Sequence, residues 1–333
     1  MQTYRALILA ALILAFGVVS LGAYVRLSDA GLGCPDWPGC YGHLTPHHAS
    51  DAIAAALAAE PDGPVSHAKA WKEMAHRYFA GLLGLLILGI AAFGWRLRRQ
   101  AQGGAALPLF LLGLVVFQAL LGMWTVTRLL KPMVVSAHLL GGMTTVSLLL
   151  WLWLRERSQP GPSYRARADH LRRAAAGGVV LVAIQIALGG WVSTNYAALA
   201  CTDFPQCHGA WVPAGMDFMH GFTLHRALGE TASGDLLPFE ALVAIHWTHR
   251  LIAVVVTLYL LALAWRLLRA PGFAGGGLAL LAALSLQVGL GIGNVAFSLP
   301  LGLAVAHNAG AALLLAVLVY LNFRVQGRWA WNP

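Results

Sequence analysis

The sequence predicts an all-α membrane protein: eight transmembrane helices arranged as two pseudo-twofold-related four-helix bundles. Three observations predict this. Long apolar runs recur along a 333-residue chain that is 59% apolar and only 11% charged, against roughly 25% charged residues in a soluble domain. A motif near the first run returns 167 residues later. The lysines and arginines gather on one side of the runs.

A helix needs about 20 apolar residues to cross a bilayer. Runs of that kind lie at 6–24, 73–95, 105–127, 133–154, 172–193, 239–266, 274–297 and 302–322. The first is longer than a signal-peptide core, roughly 7–15 residues, and is read as a retained span. Glycines inside the runs, such as Gly141, Gly142, Gly189 and Gly190, let membrane helices approach closely.

Eight spans place both termini on one side. Fourteen of the 22 Lys and Arg fall on that side and six in the opposite loops; Arg77 and Arg250 lie inside spans. This bias puts both termini in the cytoplasm and faces loops 27–72 and 194–238 outward. It also accounts for the net charge of +9 without nucleic acid, leaving membrane lipid as the expected surroundings. Cys34, Cys40, Cys201 and Cys207 all lie in the outward loops. An oxidising compartment favours two short disulfides there; a redox-active or metal-binding thiol pair is the rival reading. Two loop segments, 51–60 and 216–230, look helical and suited to lie over the membrane surface.

The pattern Cys-x-Asp-aromatic-Pro-x-Cys-x-Gly occurs twice, from Cys34 to Gly42 and from Cys201 to Gly209. The echo continues: His76-Arg77 with His249-Arg250, Gln118 and Gly122 with Gln287 and Gly291, and Ala137-His138 with Ala306-His307. The chain therefore divides into a half over 1–154, an Arg-rich linker over 155–171 and a half over 172–333. Each half has an even number of spans, so both insert with one orientation, related by an axis along the membrane normal.

Polar groups inside a membrane are costly and are functional candidates. His76 and His138, and their mates His249 and His307, sit on the second and fourth spans of each half at similar depth. A lone histidine would be read as a hydrogen bond between helices; a pair repeated in both halves points to a ligand. Two imidazoles from facing helices of a bundle suit haem iron, with copper as the alternative. Arg26, Arg77 and Arg250 lie near the rim, either as partners for haem propionates or as side chains reaching the interface. Glu73 lies one turn before His76, where the other half has His246. A carboxylate there suits proton transfer, or serves as an interfacial charge at a helix start.

Taken together, Gly31-Leu-Gly-Cys-Pro-Asp-Trp-Pro38, Glu73-Met-Ala-His-Arg77, Ala137-His138, His249-Arg250 and Ala306-His307 resemble the haem A synthase family along essentially the whole chain. The resemblance implies oxidation of the C8 methyl of haem O to a formyl group through hydroxylated intermediates, supplying haem A to cytochrome oxidase. It implies His249 and His307 as axial ligands of a cofactor haem b. His76 and His138 would bind the substrate haem O, with Glu73 as the catalytic acid beside them. It also implies a place in the cell (inner) membrane and an electron donor. Haem O synthase and cytochrome oxidase assembly factors are candidate partners; a homo-oligomer is compatible with the sequence but not specified by it. A di-haem membrane electron-transfer protein is the alternative.

Overall fold

The computed structural model describes residues 1–100, 104–160, 169–326 and 329–331. The helices are α1 (Gln2–Leu27), α2 (Ser50–Ala59), α3 (His67–Arg96), α4 (Ala106–Thr127), α5 (Pro132–Arg157), α6 (Asp169–Thr194), α7 (Phe218–Gly221), α8 (Phe239–Arg269), α9 (Ala274–Ala296) and α10 (Leu301–Val325). Eight of them, all but α2 and α7, are long and apolar enough to cross a membrane, one for each expected span. One short antiparallel pair, β1 (Ser158–Pro160) with β2 (Trp329–Trp331), joins the end of α5 to the C-terminal segment. Part of the linker expected over 155–171 lies outside the described residues.

Local chemistry explains the helix starts. Ser66 caps α3, its hydroxyl accepting from the Lys69 N–H at 3.2 Å, which satisfies a donor the first turn leaves unpaired. Proline opens α5 at Pro132 and immediately precedes α8 and α10 at Pro238 and Pro300, where a missing N–H costs nothing. The outer faces carry bare apolar side chains; Leu85 is 67% exposed and Leu258 63%. Such faces need lipid around them.

The second helical segment expected in the loops is largely absent. Over 216–230 only the four-residue α7 forms; Asp217 caps it by accepting from His220 N–H at 3.0 Å. Gly221 ends it, and the chain beyond runs in turns with Gly229 at φ +76°. The first segment is the expected helix, α2.

In the first half, α1 packs on α3 and α5, and α4 packs on the same two. In the second, α6 packs on α8 and α10, and α9 likewise. Thus α3 and α5 stand at opposite corners of one bundle, as do α8 and α10 in the other. The halves meet through α1 against α10, α5 against α6, and α5 against α10, with Trp151 edge-on to Phe323 at 5.3 Å. At the outward end, repeat mates touch. Arg26 donates to the carbonyl of its own counterpart, Ser193, at 2.8 Å. The hydroxyl of Tyr196 donates to its counterpart, Asp29, at 2.8 Å. Both pairs are separated by 167 residues, the repeat offset. The backbone repeats as well: Asp29 and Tyr196, Tyr41 and His208, and Leu130 and Leu299 all adopt positive φ between 48° and 63°.

Candidate haem sites

The loop motif has a structural explanation. Disulfides join Cys34 to Cys40 and Cys201 to Cys207. Inside the first loop the Asp36 carboxylate accepts from the N–H groups of Tyr41 at 2.6 Å and Gly42 at 2.7 Å. Asp203 does the same for His208 and Gly209 at 2.7 and 2.8 Å. The final glycine of each motif has φ near +73°, a conformation that side chains with a Cβ resist. The N–H of Gly209, with that of His208 beside it, holds the Asp203 carboxyl below the usual carboxylate range. The motif builds the same disulfide-closed loop in both halves.

Each loop is then tied down beside a histidine pair. The Glu73 carboxylate accepts from the Cys34 N–H at 2.9 Å and from Arg77 at 2.7 Å. Arg77 in turn donates to the carbonyls of Asp36 at 2.9 Å and Gly39. In the other half His246 replaces the glutamate: its Nδ1 lies 3.2 Å from Cys201 N and its Nε2 3.1 Å from Arg250 Nε, and the neutral ring can accept from one of the two. Arg250 donates to the carbonyls of Cys201, Asp203 and Gln206 at 2.7–2.9 Å. Glu73 and His246 thus hold one position in a latch between helix and loop. All three rim arginines have protein partners: Arg77 and Arg250 in the latches, Arg26 at the contact between halves, where it stacks on Tyr196 at 4.2 Å. Several loop histidines also have local partners, among them His208 Nε2 with the Ala200 carbonyl at 2.8 Å and His220 with Asp217 at 2.6 Å.

The four span histidines line one cavity of about 1580 Å³ that reaches into both halves. His76 and His138 come from the opposite-corner helices α3 and α5, so the space between them is the centre of the bundle. Their ring centres are 6.5 Å apart and the planes are 86° to one another. Two imidazoles binding one metal from opposite sides, each nitrogen about 2 Å from it, put their ring centres roughly 6 Å apart.

Each ring lies against a helical glycine on a neighbouring helix. A Cβ at Gly22 would stand 3.0 Å from His76 Cε1, at Gly122 3.4 Å from His138 Cε1, at Gly189 3.1 Å from His249 Cε1, and at Gly291 3.0 Å from His307 Cε1. The glycines therefore let the imidazoles sit against backbone, in the same way four times. Nδ1 of His76, His138 and His307 is buried with no hydrogen-bond partner among the described residues; His249 Nδ1 has Gln185 Nε2 at 3.1 Å. Buried polar atoms without partners are uncommon and ask for an explanation. Among the described residues no three His, Cys, Asp or Glu side chains converge as a metal cage. Two imidazoles facing across an apolar slot suit a haem, whose macrocycle would supply the remaining ligands.

Fold and cavity together define a polytopic membrane protein with one histidine-lined cavity that reaches into both halves beneath two disulfide loops. Residues 5–319 match the COX15-CtaA family of cytochrome oxidase assembly proteins, and the chain belongs to it. It is 45% identical over 307 residues to the haem A synthase of Shewanella oneidensis, covering 92% of both chains. It is 30% identical to that of Methylorubrum populi over 94% of this chain and 84% of the relative. With human haem A synthase COX15 it shares 28% identity, over 92% and 78%.

Proposed function

We propose that this protein is a haem A synthase, an oxidoreductase that converts the C8 methyl of haem O to a formyl group for cytochrome oxidase. The observation that carries this reading is the pair of cross-bundle histidines in each half. The relatives named haem A synthase supply the reaction. In this reading residues 1–154 form the substrate half, with His76 and His138 holding haem O. Residues 172–333 form the cofactor half, with His249 and His307 as axial ligands of haem b. The reciprocal helix contacts and the touching repeat mates support a pseudo-twofold relation between the halves. Haem b, when bound, supplies one-electron chemistry to the substrate site. The chain's residues bind and orient both macrocycles and exclude water from the apolar slot. The Arg-rich ends support an inner-membrane orientation with cytoplasmic termini and outward cysteine loops. An electron donor is required as a partner; haem O synthase and other cytochrome oxidase assembly factors are natural neighbours.

Glu73 lines the cavity beside His76 and is 4% exposed. Its carboxylate is the group in the substrate half placed to hold or move a proton next to the reacting haem, a role its counterpart His246 does not share. Positioned acid–base groups contribute roughly 10²–10⁴-fold. Glu73→Ala should therefore lower haem A formation by at least about 10²-fold while bound haem is retained, as measured by extracting and separating haems. Glu73→Gln keeps an oxygen to accept the Cys34 N–H but cannot take a proton, and should be as impaired. Full activity in Glu73→Gln would reduce Glu73 to a latch residue.

The di-haem carrier remains the second reading, favoured by the four near-identical glycine cradles. It predicts two equivalent permanent haems, no change in either, and no effect of Glu73→Ala.

A further inference from the structure

The four span histidines share glycine cradles, but among the described residues only His249 has a hydrogen-bond partner at Nδ1. Gln185 Nε2 lies 3.1 Å from His249 Nδ1 and 3.1 Å from the His249 carbonyl oxygen. Gln185 stands one turn before Gly189 on α6, so amide and cradle lie on one face of that helix. The ring resting against Gly189 therefore has the amide beside it. The repeat mate of Gln185, at the offset that pairs Gly189 with Gly22, is Val18. Both residues line the cavity. Val18 offers His76 only a backbone carbonyl, which the helix already engages, and His76 Nδ1 makes no hydrogen bond.

The amide itself is half satisfied. Gln185 Oε1 is buried with no hydrogen-bond partner among the described residues, and an unpaired acceptor among membrane helices costs free energy. A neutral imidazole carries its proton on one nitrogen and accepts at the other. A histidine that gives Nε2 to iron carries its proton on Nδ1, and that N–H needs an acceptor. Half a turn about the last bond of Gln185 brings Oε1 to the place Nε2 holds. That one motion pairs the orphan acceptor with the ligand's N–H. The other cavity glutamines do not separate the halves in this way. Gln118 and Gln287 hold matching places, and each amide lies against a glycine of the next helix, Gly141 and Gly310.

We infer that Gln185 is a positioning residue for the cofactor haem, its Oε1 accepting the Nδ1–H of His249 and fixing that ligand's tautomer and ring angle. The inference rests on the reading of the second half as the haem b site. A hydrogen bond taken from the far nitrogen makes an imidazole a more basic ligand to its metal. Such bonds are one lever a protein has on a haem's reduction potential. The more basic ligand favours oxidised iron, so the second half gives up an electron more readily. Val18 has no side chain with which to do the same for His76, and the first half presents its haem with a less basic ligand. The two sites thus differ by one amide although their imidazoles match.

The test is a redox titration of the purified full chain loaded with haem b. Gln185→Val installs the residue of the first half, and Gln185→Glu keeps an acceptor at the same reach. His249→Ala identifies the second-half haem, whose midpoint is the one read. Loss of a partner behind a metal ligand costs roughly tenfold or more, and a tenfold change in a one-electron equilibrium is about 59 mV. The expected result is a midpoint raised by at least about 59 mV in Gln185→Val and lowered in Gln185→Glu, with the two-imidazole spectrum kept in both. A merely structural role would move both variants the same way. Unchanged midpoints, shifts of one sign, or loss of haem from both variants would overturn the inference. If Gln185→Val alone fails to hold haem, Gln185→Glu decides: a lowered midpoint supports the inference, and an unchanged or raised one overturns it. If the unaltered protein holds a His249-dependent haem whose midpoint ignores Gln185, this inference alone falls. If it holds no haem that depends on His249, the functional reading falls and takes the inference with it.

Discussion

Replacing His76 or His138 with alanine should abolish haem A formation while the second half keeps its haem; replacing His249 or His307 should empty the second half. On the proposed reading each change removes one of the two nitrogens that would hold the haem, and among the described residues no third ligand stands by to replace it. Perturbing even the groups behind a metal ligand costs roughly 10–100-fold in affinity or activity, so loss of the ligand itself should cost at least about 10²-fold. The fold should persist. His76 makes no hydrogen bond that holds the loop; that duty falls on Glu73 and Arg77. The readout is the absorbance of the reduced protein together with extracted haem. Variants of the first pair should retain the cofactor spectrum and yield no haem A, and variants of the second pair should lose that spectrum. Identical spectra for all four variants would show that the halves are not divided as proposed.

Gly22→Val and Gly291→Val should be nearly as damaging, although neither residue can bind anything. A Cβ at either position stands 3.0 Å from the Cε1 of the histidine opposite, closer than carbon atoms normally approach, and valine adds two methyl groups beyond it. The ring must rotate or α1 and α9 must move away, and either shift would displace the nitrogen that would hold a haem. The expected loss is about 10–100-fold in haem affinity at the affected site, with the other site unchanged. Gly89→Val and Gly113→Val are the controls, since a Cβ there meets nothing within 4 Å. Haem content of the four purified variants, measured per half from the spectra, checks the contrast. Equal behaviour of cradle and control glycines would show that the cradles do not orient the ligands.

The eight spans were legible because membrane crossing demands long apolar runs and little else does. The four cavity histidines stand out in the sequence because a polar residue at matching depth in both repeats has few bland explanations. Gly22, Gly122, Gly189 and Gly291 were visible as parts of the repeat, but their role was not. A glycine opposite a ring leaves no chemical signature in one dimension, only a spacing between helices that must be known in three. Arg77 and Arg250 were read as facing the haem or the interface. They also grip carbonyls of the disulfide loops, and a carbonyl acceptor has no residue-type signal at all. Glu73 looked like an isolated acid beside a ligand; that it also accepts the Cys34 N–H depends on how the loop folds back over α3. The touching of Arg26 with Ser193 and of Asp29 with Tyr196 joins positions that the 167-residue offset already pairs. The segment 216–230 shows the opposite case, where apolar spacing suggested a helix and Gly221, Gly229 and loop hydrogen bonds prevented it.

The proposed division of labour is that the first pair of histidines holds a haem that is changed and the second pair a haem that is not. Its most direct test is to express the protein in cells supplied with haem O, purify it, extract all bound haem, and identify each species by chromatography and mass. Haem b together with haem A or its hydroxylated precursor is the expected result. Haem b alone, with haem O demonstrably present in the same membranes, would contradict it and leave a di-haem electron carrier in its place.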